Sequence, residues 1–129
     1  MLLASPEFGT GPGTFTLEMR NLSEYSGVLD YWKINPVHNV LLLVAAELGI
    51  TCLLLLILLI ISLIVRSYIA LDKAIFPDNI LLSTFIVILI GIFIIFQLDH
   101  YFWTIQQGFL SLWLIISLTA VSFTHLKRI

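Results

Sequence analysis

Apolar residues run along this chain in three long blocks, with the polar positions gathered in front of the first block and in the gaps between them. The blocks cover roughly 36–65, 80–98 and 105–123. Unbroken apolar runs of this length predict membrane-crossing helices, because a crossing takes about 20 residues at a rise of 1.5 Å each. The first block is long enough to cross with tilt, and the third is near the lower limit. Asn35-Pro36 opens the first block: Asn is a favoured N-cap, and Pro suits the first helical position, where its missing N–H would go unsatisfied anyway. Pro77-Asp78-Asn79 opens the second block and Asp99-His100 ends it. The first 35 residues are different in kind. Gly9, Gly11 and Gly13 alternate through Phe8-Gly-Thr-Gly-Pro-Gly-Thr-Phe15, a turn-rich loop. From Phe15 to Trp32, apolar residues recur at Leu22, Tyr25, Val28, Leu29 and Trp32 around Glu18, Glu24 and Asp30, as in a short amphipathic segment on a membrane surface. The pattern therefore predicts an all-α integral membrane protein. Residues 1–35 form an extracytoplasmic loop segment, and 36–129 form a region of about three transmembrane helices.

Composition agrees, with 60% of residues hydrophobic and only 11% charged, which excludes an ordinary soluble domain. A single cysteine, Cys52, excludes an internal disulfide framework, and no Cys/His/carboxylate spacing supports a metal site, so neither metal nor cofactor is expected. The net charge of −2 and the absence of a basic run carry no nucleic-acid signal. The glycine-rich stretch lacks the Gly-Lys-Ser/Thr ending of a phosphate cradle. Asn21-Leu22-Ser23 matches a glycosylation acceptor, a pattern short enough to arise by chance. No charged segment ahead of an apolar core marks a signal peptide.

Charge also orients the chain. The connection from Arg66 to Asn79 holds Arg66 and Lys73, and the C-terminal tail holds Lys127 and Arg128. The connection after the second block has no Lys or Arg but carries Tyr101, Phe102 and Trp103, residues that favour the membrane interface. The positive-inside rule then places the N-terminal loop outside and the first connection and the C-terminus in the cytoplasm of a multi-pass membrane protein. Arg20 and Lys33, on the outer side, count against this orientation.

With the first helix starting at Pro36, His38 falls at its third position, where unpaired N–H groups attract anions. On a regular helix His38, Ala45, Gly49 and Cys52 lie within about 60° of one another, so His38 crowns a stripe of small residues that admits a neighbouring helix. On spacing alone, a lone histidine there is more often an interfacial cap than a catalytic group. Glu47 lies on the opposite face, about 13 Å further along. A carboxylate at membrane depth costs about 2.5–3.5 kcal/mol, so Glu47 needs a partner, with a buried hydrogen bond the simpler reading and catalysis the rarer one. Because that helix is then covered on two opposite faces, the chain is expected to belong to a larger bundle or an oligomer. Asp99-His100 reads as a solvated pair at a helix end, since adjacent residues on a helix do not face each other. Gln106 and Gln107 either bind sugar hydroxyls or lie at the headgroup level.

Asn35-Pro-Val-His38-Asn39, then nine intervening residues and Gly49, resembles the His-Asn-x9-Gly signature of the O-antigen ligase and polymerase superfamily. Ala46-Glu47-Leu48-Gly49-Ile50 is similar to the usual continuation of that signature, and Phe8–Phe15 resembles the glycine-rich start of the family's large periplasmic loop. Thr51 and Cys52 depart from it, standing where many members have a further Gly or Thr. The resemblance implies the C-terminal part of a larger polytopic glycosyltransferase bundle of ten to fourteen helices. The activity it implies is metal-independent, inverting transfer of a glycan from an undecaprenyl-pyrophosphate-linked donor to a sugar or lipid-core hydroxyl. His38 would be the general base and Asn39 a substrate-binding residue, with Asn35, Pro36, Glu47 and Gly49 in structural roles. The partners implied are that donor and acceptor, membrane lipids and the preceding helices; Arg20 matches none of the family's donor-binding arginines. The competing class is a small non-enzymatic membrane protein, holin-like or an accessory subunit, in which His38 only anchors the interface.

Overall fold

The computed structural model describes residues 5–21 and 35–126, with side chains as far as 123. The amphipathic pattern over 22–32, most of the glycosylation triplet, Lys33, Lys127 and Arg128 lie outside the described residues. Among the described residues five helices follow one another: α1 (Phe15–Asn21), α2 (Val40–Leu71), α3 (Asp78–Ile95), α4 (Tyr101–Thr104) and α5 (Gln106–Leu126). Among the described residues there is no strand. Three of the helices, α2, α3 and α5, are long and apolar enough to cross a membrane.

The start of α2 differs from the sequence expectation. Residues 35–39 are not helical, and the N-cap is Asn39 rather than Asn35. The Asn39 Oδ1 accepts the N–H of Leu42 at 3.0 Å, the bond by which an N-cap satisfies the third residue of its helix. Pro36 is therefore outside the helix, and His38 precedes the cap. At its other end α2 continues beyond Val65 to Leu71 and takes Arg66 with it. Within α2, Gly49 has φ 84° and ψ 171°, so the helix is broken there and a regular 100° progression cannot be carried across it.

The chain divides into two compact units, one formed by residues up to 55 with 96–100, the other by 56–95 with residues from 101 onward. In the second unit both α3 and α4 pack on α5. Leu82, Leu89 and Ile92 of α3 are buried, as are Leu112, Ile116, Thr119 and Phe123 of α5, each set spaced as one helical stripe. Gly108 lies where α4 meets α5, and a Cβ there would come within 2.8 Å of the Tyr101 ring. The Thr119 hydroxyl donates to the Ile115 carbonyl at 2.7 Å, whereas the fully buried Ser67 hydroxyl has no partner. In this unit Leu58, Ile61, Ile90, Ile94, Leu110 and Leu114 are exposed. Apolar side chains exposed in such number suit lipid and not water.

Candidate functional site

The first unit holds His38, Asn39, Glu47, Gly49 and the glycine-rich loop, whereas Gln106 and Gln107 lie in the second unit, at the exposed start of α5. The first feature of the first unit is the break in α2. Without a continuous helix, the carbonyls of Ala46 and Glu47 lose the N–H groups of Ile50 and Thr51 as i+4 partners. The glycine-rich loop replaces them: Thr10 N–H donates to the Ala46 carbonyl at 3.1 Å and Gly11 N–H to the Glu47 carbonyl at 2.8 Å. In return the Ile50 N–H donates to the Pro6 carbonyl at 2.9 Å. The exchange gives partners to both carbonyls and to the Ile50 N–H that the break releases, as buried polar groups require.

Two glycines make this contact possible. Gly9, at φ +68°, lies so close to the Glu47 carbonyl that a Cβ would overlap it, and Gly49, at φ +84°, stands in the same relation to the Glu7 carbonyl. Gly49 thus allows close approach, as the sequence reading expected, but what approaches is the loop backbone and not a second helix. The stripe drawn from His38 through Ala45 and Gly49 to Cys52 does not form. His38 is outside the helix, Gly49 breaks it, and Cys52 is exposed.

Side chains complete the joint. Glu47 is only 5% exposed, and its Oε1 accepts the N–H of Phe15, the first residue of α1, at 3.2 Å. The buried carboxyl group therefore has a hydrogen-bond partner, a backbone amide. The Thr14 hydroxyl donates to the Gly11 carbonyl at 2.7 Å and lies 2.8 Å from the Thr10 hydroxyl, which itself reaches the Ala46 carbonyl at 3.4 Å.

The second feature is at the start of α2. Val40 N–H donates to the Phe96 carbonyl at 2.7 Å, tying the helix start to the residue that follows α3. Beside it the Asn39 Nδ2 donates to the carbonyl and the side-chain oxygen of Gln97, at 3.5 and 3.4 Å. Asn39 therefore caps one helix and reaches the end of another. The same joint brings His38 and His100 together, with ring centroids 5.1 Å apart and planes inclined at 51°. His38 is exposed and His100 half-buried. The sequence reads His100 only as half of a solvated Asp99-His100 pair at a helix end, and does not relate it to His38. The available signal was weak: both histidines fall at the same membrane face if the first two blocks cross in opposite directions.

Asn35 is exposed and Pro36 half-buried in the segment ahead of the cap. Among the described residues, no group of three or more His, Cys, Asp and Glu is placed to hold a metal ion. The site offers two imidazoles for proton transfer, beside a helix start fixed from two sides, and a loop locked to the broken helix. Comparison with protein-family models, curated proteins and solved structures finds no match to this chain.

Proposed function

We propose that this chain is the histidine-bearing C-terminal part of a membrane glycosyltransferase of the O-antigen ligase and polymerase kind. The observation that supports this best is the docking of Phe8–Phe15 on Ala46–Gly49. These two stretches resemble the family independently, and here they share two backbone hydrogen bonds, Thr10 to Ala46 and Gly11 to Glu47, and the Glu47 tie to Phe15. Two unrelated chance matches would have no reason to meet.

In this reading the loop and His38 face the outside, and the Arg66–Asn79 connection and the C-terminus face the cytoplasm, in a bacterial inner membrane. His38 takes the proton of an acceptor hydroxyl. The hydroxyl oxygen attacks the anomeric carbon of the lipid-linked glycan, the bond from that carbon to the pyrophosphate breaks, and the configuration inverts. The pyrophosphate leaving group needs fixed positive charge, which the helices that complete the bundle supply. The exposed apolar faces of α2, α3 and α5 are where those helices and lipid would pack.

The test is complementation of a host lacking this protein, read as glycan ladders on gels together with protein levels in the membrane. His38→Ala is expected to lower transfer at least about 100-fold, the lower end of what a general base contributes, with protein levels intact. Transfer at the wild-type rate by His38→Ala would overturn the reading and favour a small accessory membrane protein.

A further inference from the structure

We infer that His100 is a positioning residue for His38, holding its imidazole in the orientation that the transfer needs. This rests on the functional reading above and adds a residue that no spacing rule in the sequence indicates.

His38 lies in a non-helical bend and its side chain is exposed, so the helix does not hold its ring. The ring of His100 does, with centroids 5.1 Å apart and planes inclined at 51°, inside the range at which aromatic rings pack against each other. The contact does not depend on a loose loop. The Val40–Phe96 backbone bond at 2.7 Å and the bonds from Asn39 to Gln97 fix both histidine-bearing segments within a few residues of the rings. A base acts only within hydrogen-bond reach of the proton it removes, and a displacement of about 1 Å costs on the order of 100-fold in rate. A half-buried ring beside an exposed one limits that displacement.

The experiment has two arms. In native membranes, His100→Ala is expected to lower kcat for glycan transfer by about 10- to 100-fold with KM changed less than about twofold, because substrate binding is untouched and the aim of the base is lost. His100→Phe, which keeps a ring but no nitrogen, is expected to restore the rate to within about threefold of wild type. Full activity in His100→Ala, or a Phe variant as slow as the Ala variant, would overturn the inference. The second arm does not depend on activity or on either His100 variant. In a Cys52→Ser background, the pair His38→Cys and His100→Cys should be bridged within one chain by a bis-methanethiosulfonate reagent of about 10 Å reach, a span that covers two side chains whose rings touch, detected by mass spectrometry. No cross-link would overturn the contact itself. A cross-link together with wild-type transfer by His38→Ala would show a true contact but a false functional reading, so the two failures are distinguishable.

Discussion

Glu47 shows most directly how one residue organises its surroundings. Its cost inside an apolar helix demands a hydrogen-bond partner, and the structure supplies the backbone N–H of Phe15. Removing the acceptor leaves that amide unpaired in a part-buried position, which costs about 1–3 kcal/mol. Glu47→Ala is therefore expected to lower the temperature at which the detergent-solubilised protein loses its monodisperse gel-filtration peak. Glu47→Gln keeps an oxygen at the same place and should remain within about 1 kcal/mol of wild type. Equal losses in both variants would show that the oxygen is not what Phe15 needs. The need for a partner was legible in the sequence, because it follows from burial of a carboxyl group in an apolar run. The partner's identity was not, because Phe15 opens α1 directly after a loop whose docking depends on atoms far away in the chain. The N-cap is a similar case: Asn35 and Asn39 are both suitable residues, and the reach of Asn39 to Gln97 singles it out.

At the scale of elements, the break in α2 matters most. Residues 50–71 alone rise about 33 Å, enough for the apolar core of a bilayer, so the nine residues ahead of the break are free to serve the loop and the site. Gly49 lies among apolar residues that continue the helical pattern on both sides, and a lone glycine in such a run is ordinarily tolerated. Its positive φ is required because the loop backbone occupies the space where a side chain would project. Gly49→Ala should therefore be destabilising both through strain, of the order of 1–3 kcal/mol, and through overlap with the Glu7 carbonyl. Gly13→Ala is the control, since it also has a positive φ, +71°, but its Cβ would meet nothing within 4 Å. Gly13→Ala should lose only about 1–2 kcal/mol, the cost of a left-handed residue alone. The same gel-filtration melting series checks both, and equal losses would mean that the loop does not press on Gly49.

For the whole molecule the testable property is orientation. The cations of the first connection and the tail, set against an outer connection with none, predict an outside N-terminal loop. In a Cys52→Ser background, a membrane-impermeant maleimide should label Ser26→Cys in intact cells and Ala74→Cys only after the cells are opened. The reverse pattern would invert the orientation and place His38 on the cytoplasmic side, away from any exported glycan. The sequence by itself determined the helical class and the three long apolar helices, because these depend on local hydrophobicity summed over about 20 residues. It also marked the glycine loop and the His38–Gly49 stretch as the polar places of interest. Only the tertiary structure decided that the loop fills the break at Gly49, that Asn39 and not Asn35 starts the helix, and that His100 stands beside His38. The physical reason is that such contacts are set by which unpaired N–H and C=O groups meet after the chain has folded, and no local period in the sequence encodes that meeting.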